Sequence, residues 1–164
     1  MALKDLFASL QETSFATKVA DSLTLFPWIE TIHVGSVVTV VGALLIVDLR
    51  LLGVAAHTRS IQRLIGDVMP LTWLAFILAF GSGFALFASN AVNYAGNTAF
   101  QVKMLLLVIA AANMIAFHLV THRGNHIWDD KLNTPPPARA AGAISLVVWV
   151  AIVFLGRWVG FTMV

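Results

Sequence analysis

The chain has 164 residues, of which 59% are hydrophobic and 11% are charged, and its formal net charge is +2. A soluble domain carries about 25% charged residues, so a chain with a mean hydropathy of +0.88 cannot cover a water-facing surface. The small charge gives no indication of a nucleic-acid partner. The lack of cysteine excludes disulfides, thiolate nucleophiles, iron–sulfur clusters and covalently attached haem. The composition therefore predicts an integral membrane protein.

Residues 1–26 combine apolar and charged side chains at helical spacing. The apolar positions are Leu3, Phe7, Leu10, Phe15, Val19 and Leu23. We predict an amphipathic helix that lies at the membrane interface and is broken near Thr13–Ser14. Docking of this helix on a partner protein is the alternative.

Residues 27–164 contain four apolar segments that reach the length of about 20 residues needed to cross a bilayer. We place the spans at about 28–52, 71–89, 100–121 and 143–163. Pro27 and Pro70 are expected to open the first two helices, and the proline-rich stretch 133–138 is expected to be a stiff surface loop. The asparagine-rich stretch 90–97 is expected to be a turn. The predicted fold is an all-α integral membrane protein, an antiparallel four-transmembrane-helix bundle preceded by an N-terminal amphipathic interfacial helix.

Lysine and arginine are distributed unequally between the two sides of this bundle. Six lie around the connectors that follow spans one and three, and four lie on the other side. Because cytoplasmic connectors are enriched in these residues, the bias predicts that both termini lie outside the cytoplasm.

Ionisable side chains inside the spans are the functional candidates, because each is costly in lipid. At a rise of about 1.5 Å per residue, His33 and Lys103 both lie about 12 Å from the bilayer midplane, and Arg157 lies slightly deeper. Asp48 and His118 lie about 10 Å from the midplane on the opposite side. Arg50 is expected to extend to the interface on that side.

Histidine imidazoles accompanied by basic residues are the means by which a helical bundle holds a b-type haem. The candidate haem ligands and propionate partners are His33, Lys103, Arg157, His57, His118 and His122. His33 is the one histidine at its end of the bundle, so Met104 or an open position would complete the iron coordination there. Asp48 and His118 are candidates for a proton relay, or for a hydrogen-bonded pair that fixes the helix register. No dedicated metal site is assigned.

Several short motifs occur together in the four spans. They are Trp28-Ile29-Glu30 followed by His33, the run Asp48–Gly53, Lys103 with Asn113, Phe117-His118, and Gly156-Arg157-Trp158. The chain resembles a family of small, functionally uncharacterised bacterial four-span inner-membrane proteins over about residues 27–163. In general layout it is also similar to the membrane b-type cytochromes and to the CopD-like copper-resistance membrane proteins. The resemblance implies a multi-pass protein of the bacterial inner membrane with periplasmic termini, and it implies no established activity.

Three functions follow as hypotheses. The first is an accessory subunit without catalytic activity of its own, which stabilises a larger membrane complex, possibly a redox complex, by helix packing. The second is a haem b-binding electron-transfer membrane protein, and the third is a small proton-coupled transporter element. The expected partners are the lipid bilayer and either a larger membrane complex or further copies of the chain. Phosphate loops, nucleophile elbows and HExxH motifs are missing from the sequence, so conventional hydrolase or kinase chemistry is not expected.

Overall fold

The computed structural model describes residues 2–55, 59–121 and 134–163, and the regular secondary structure in these ranges is helical throughout. The helices in chain order are α1 (Ala2–Gln11), α2 (Ser14–Asp21), α3 (Leu25–Leu52), α4 (Ile61–Ser89), α5 (Ala91–Gly96), α6 (Thr98–Ala116) and α7 (Pro136–Thr162). A wider π-helical turn, Phe117–Thr121, continues α6. Among the described residues, α3, α4, α6 with the start of this turn, and α7 are long and apolar enough to cross a membrane.

Two of these helices begin earlier than the sequence predicts. The expectation that Pro70 opens the second long helix is wrong, because α4 begins at Ile61 and Pro70 lies in its interior. The Ser60 side chain caps α4 by accepting a hydrogen bond from the backbone N–H of Arg63 at 3.2 Å. Similarly, Pro136 is the first residue of α7, where a missing N–H costs nothing, so only the first part of the predicted 133–138 loop precedes the helix.

The helix α3 is the central element of the bundle. It packs along α4 on one side and along α7 on the other, and α7 in turn packs along α6. A buried cluster near the end of α3 contains Leu51, Ile61, Phe117 and Ala138, so residues from all four long segments meet there. We call this part of the molecule the Arg50 end, and the opposite part, where α3 begins, the His33 end.

The N-terminal residues form two helices rather than one, with Thr13 as the cap of α2, as the predicted break near Thr13–Ser14 requires. These helices pack on the His33 end of the bundle, where Ala16 and Val19 of α2 are fully buried. Phe7 of α1 makes an edge contact with Phe87 of α4 at 5.7 Å between ring centroids. One face of the predicted interfacial helix therefore covers the protein itself, while Leu3, Leu6, Phe15 and Leu23 remain exposed.

The helices α3 and α7 lie close together at Gly142. A Cβ atom at this position would lie 3.0 Å from Cβ of Leu51 and 3.3 Å from the carbonyl oxygen of Asp48. At Gly160 of the same helix nothing lies within 4 Å of an added Cβ. Small residues allow such close contacts between helices in lipid.

We therefore expect Gly142→Val to separate α3 from α7 and to lower the free energy of unfolding by about 1–3 kcal/mol. Gly160→Val is the matched control and should leave stability nearly unchanged. The measurement is the reversible unfolding of both variants in detergent, monitored by circular dichroism. Equal stability of the two variants would contradict the close packing at Gly142.

Candidate functional site

The imidazole of His33 lies between α3 and α4. Its Nδ1 atom is 2.9 Å from the carbonyl oxygen of Ala79 and 3.2 Å from the hydroxyl oxygen of Ser82, both on α4. The ring also lies directly against Gly83, since a Cβ atom there would come within 2.9 Å of the Cε1 atom of His33. The absence of a side chain at Gly83 is therefore what makes room for the imidazole.

The bond to Ala79 determines which ring nitrogen carries the proton. A carbonyl oxygen can only accept a hydrogen bond, so Nδ1 of His33 must be the donor. In the neutral imidazole the lone pair then lies on Nε2, which leaves this atom able to bind a metal ion or to accept a hydrogen bond. A histidine that ligates a metal usually donates its other N–H to a carbonyl or carboxylate in this way.

Lys103 brings a positive charge to the same region. Its side chain extends from α6 towards Gly156 of α7, where an added Cβ atom would lie 3.7 Å from Nζ. Lys103 is half-buried and close enough to His33 for the two groups to interact electrostatically. In the described part of the chain no carboxylate forms an ion pair with this ammonium group. Lys103 therefore lies near enough to His33 to influence it electrostatically.

Aromatic rings cover this region at the ends of α4 and α6. Phe87 and Phe100 are stacked at 5.5 Å, and Tyr94 of α5 lies 5.4 Å from Phe100 and 6.3 Å from Phe87. Glu30 interacts electrostatically with both His33 and Tyr94. Sequence reasoning placed Tyr94 only at the membrane interface, although its position as the one tyrosine of the chain, six residues before Phe100, was a usable signal.

Arg157 is placed apart from His33 and Lys103. Its side chain is exposed, and the guanidinium carbon lies 5.0 Å from the centroid of the Phe161 ring on the same helix. This is the geometry of a cation–π contact at the surface. Among the predicted cations, Lys103 is therefore the one that reaches the interior at the His33 end.

The two proton-relay candidates have different surroundings. Asp48 is 5% exposed, and its carboxyl group has the hydroxyl of Ser145 on α7 as a hydrogen-bond partner. His118 is exposed, and its Nδ1 atom lies 2.9 Å from the carbonyl oxygen of Met114, one turn earlier on the same helix. The described bonds join Asp48 to α7 and His118 to its own helix. His57 and His122, the other predicted histidine sites, lie outside the described residues.

Among the described residues, the most deeply buried charged side chain is that of Arg50, which was not among the predicted site residues. It is 1% exposed, its Nε atom donates to the carbonyl oxygen of Arg59 at 2.8 Å, and its NH1 atom donates to the Thr134 hydroxyl at 3.2 Å. Its NH2 atom has no hydrogen-bond partner within the described ranges. The sequence suggested an arginine that extends to the interface, because nothing in a single sequence shows which backbone carbonyls lie beside it.

Four of the described ionisable side chains in the spans lie in the interior. His33 and Lys103 lie at one end of the bundle, and Asp48 and Arg50 lie at the other. Within the described ranges, no group of three His, Cys, Asp or Glu side chains is placed to hold a metal ion. The His33 end therefore offers one nitrogen ligand and one unpaired cation.

The chain belongs to a family of unknown function, DUF6644, whose model matches residues 7–162. This agrees with the expected membership of an uncharacterised family, and no relationship to CopD-like proteins or to cytochromes is found. No curated protein and no solved structure matches the chain.

Tyr94 gives a test of the packing at the His33 end. Burial, together with the negative charge of Glu30, raises the pKa of the Tyr94 hydroxyl above 10.0. The unfolded chain loses this proton near 10, and the folded chain keeps it to higher pH, so stability should be unaffected below about pH 10 and should fall above it. We expect the tyrosinate absorbance of the folded protein to titrate at higher pH than that of the unfolded chain.

Since Tyr94 is the one tyrosine, its absorbance needs no deconvolution. Tyr94→Phe should remove both the titration and its share of the stability loss at alkaline pH. A folded-state titration at the unfolded value would show that the ring is not buried among Phe87 and Phe100.

Proposed function

We propose that this protein is a haem b-binding protein of the membrane, in which His33 would bind the iron and Lys103 would pair with a haem propionate. The observation that carries the proposal is the hydrogen bond from Nδ1 of His33 to the Ala79 carbonyl, which leaves Nε2 as the metal-binding atom. Haem has an iron ion that accepts a nitrogen ligand and propionate groups that carry negative charge. A free imidazole nitrogen can bind the iron, and a nearby unpaired ammonium group can pair with a propionate.

The proposal includes four antiparallel crossings of the bilayer. Contacts between the end of one helix and the start of the next support this arrangement. The Nδ2 atom of Asn113, late in α6, donates to the carbonyl oxygen of Ala141, early in α7, at 3.0 Å. The Nδ2 atom of Asn97, just before α6, donates to the hydroxyl of Thr162, the last residue of α7, at 2.9 Å. The proposed location is the bacterial inner membrane with periplasmic termini, because six of the ten Lys and Arg residues lie, by sequence, in or near the connectors after the first and third spans.

The residues of the chain would each have a distinct task. Ala79 and Ser82 hold the His33 ring at a fixed angle between two helices, and Gly83 leaves the space that the ring occupies. The aromatic rings of Phe87, Tyr94 and Phe100 limit the access of water from the nearby end of the bundle. When bound, haem supplies one-electron exchange between ferric and ferrous iron.

His118 is a weaker candidate for the same role. Both histidines have Nδ1 next to a backbone carbonyl, but the carbonyl beside His33 belongs to another helix and the one beside His118 belongs to its own. A bond across two helices fixes the ring relative to the whole bundle. The His118 side chain is exposed, whereas that of His33 is half-buried.

The test is the reduced-minus-oxidised visible spectrum of the protein purified from its native membrane. We expect a haem b spectrum that is lost in His33→Ala and retained in His118→Ala. Gly83→Ala keeps His33, but the added methyl group displaces the imidazole ring. This variant should therefore bind haem at least tenfold more weakly. Circular dichroism establishes that each variant is folded.

A flat spectrum from native membranes, also after addition of haem to the purified protein, would overturn the proposal. Retention of haem by His33→Ala would overturn the assignment of the ligand. Loss of haem from His118→Ala alone would transfer the site to the other end of the bundle.

A second candidate function, an accessory subunit that packs against a larger membrane complex, is favoured by the exposure of α6. In its most apolar window only 6% of the residues are buried, compared with 22–28% in the other three long helices. A helix that is covered so little by its own chain has most of its surface available to lipid or to a helix of another protein.

For this candidate we expect the protein to co-purify with a larger assembly after mild solubilisation. Substitution of exposed α6 residues by a larger side chain, as in Ala112→Trp, should release it from that assembly. Ala143→Trp, on the exposed surface of α7, is the matched control. Migration of the wild-type protein as a monomer in several mild detergents would contradict the accessory function and leave the haem test unaffected.

A further inference from the structure

A small basic cavity lies at the Arg50 end, on the first turns of α4. Its volume is about 300 Å³, and its walls are formed by Arg59, Ser60, Arg63 and Asp67. Arg63 and Asp67 are four residues apart on α4, so they lie on the same face of the helix, and Arg59 immediately precedes the cap residue Ser60. In the described structure neither arginine of this cavity forms an ion pair with a carboxylate.

A third guanidinium group lies directly behind the cavity. Arg50 donates from Nε to the backbone carbonyl of Arg59, at 2.8 Å, and is almost completely buried. Its NH2 atom lacks a hydrogen-bond partner in the described ranges, and no described carboxylate neutralises its charge. Because arginine stays protonated in proteins, this buried charge persists and makes the potential around Arg59 and Arg63 more positive.

The position of the cavity along α4 matches the level of lipid head groups. The midpoint of α4 is near Ala75. Arg63 is twelve residues from it, or about 18 Å, which is beyond the half-thickness of about 15 Å of the hydrocarbon core. Arg59 precedes the cap residue Ser60, beyond the N-terminus of α4. Both guanidinium groups therefore reach the region that phospholipid phosphates occupy.

We propose that this cavity binds a phosphate group, with Arg59 and Arg63 as direct donors, and that its ligand is the head group of an anionic phospholipid. Guanidinium groups bind phosphate oxygens through paired N–H donors, and basic pockets at the cytoplasmic ends of membrane helices are suited to anionic head groups. The Ser60 hydroxyl already accepts from the N–H of Arg63, so the arginine side chains rather than the helix backbone supply the contacts. This site is independent of the proposed haem site at the other end.

The experiment compares lipid retention by native mass spectrometry after exchange into mixed micelles that contain phosphatidylglycerol or phosphatidylcholine. We expect wild-type protein to retain phosphatidylglycerol, and Arg63→Gln to reduce its affinity about fivefold, the equivalent of about 1 kcal/mol. Arg59→Gln/Arg63→Gln should reduce the affinity further. Neither substitution removes the backbone carbonyl that Arg50 uses.

Arg139→Gln is the matched control, since Arg139 is exposed in the first turn of α7 at the same end and loses the same charge. An equal loss of phosphatidylglycerol in Arg139→Gln and Arg63→Gln would show non-specific attraction and overturn the site. Equal retention of both lipids by wild-type protein would also overturn it. A third outcome is that inorganic phosphate at millimolar concentration displaces phosphatidylglycerol from the wild-type protein but not from Arg63→Gln. This result would show that the cavity binds phosphate and that its ligand is free phosphate rather than a lipid head group.

Discussion

Every polar side chain inside an apolar helix bundle has to find its hydrogen-bond partner on a neighbouring element, because lipid offers none. In this protein the helix α3 carries three such side chains, and each one is bonded to a different part of the fold. His33 bonds to α4, Asp48 has its partner on α7, and Arg50 bonds to the segments that precede α4 and α7. Because α3 packs along both α4 and α7, its polar side chains find their partners on these neighbouring elements rather than in lipid.

The two ends of α3 use this constraint differently. At the His33 end the imidazole is held by one ring nitrogen, so the other nitrogen remains available between helices. At the Arg50 end the guanidinium joins two segments that enter different helices, through Arg59 and Thr134, and it is almost completely buried. Arg50 therefore stabilises the junction of α3, α4 and α7, whereas His33 combines a structural bond with a free ligand atom.

The sequence was informative where a single helix determines the outcome. Apolar length identified the four long helices, and the threonine before Ser14 marked the break between α1 and α2. It was misleading at Pro70, since proline suggested a helix start and the cap at Ser60 lay ten residues earlier. The rise per residue of a helix predicts the depth of a side chain in the bilayer, and it assigned His33 and Lys103 the same depth. It does not predict the direction in which a side chain points around the helix axis. Arg157 was therefore grouped with them, although its side chain is exposed over Phe161. The same limit explains why Arg50 was expected at the interface.

The two unpaired cations of the described interior place different demands on what surrounds them. Lys103 has no carboxylate partner in the described ranges, so the proposed haem would supply a propionate as its counter-ion. Arg50 is buried at the other end, and its guanidinium group stays charged whatever binds nearby. A permanent charge behind Arg59 and Arg63 favours a permanently available anion, and the phosphates of the bilayer are the most abundant anions at that level. In these proposals the counter-ion of Lys103 arrives with a bound cofactor, whereas the anions near Arg59 and Arg63 are bilayer phosphates, which are present throughout.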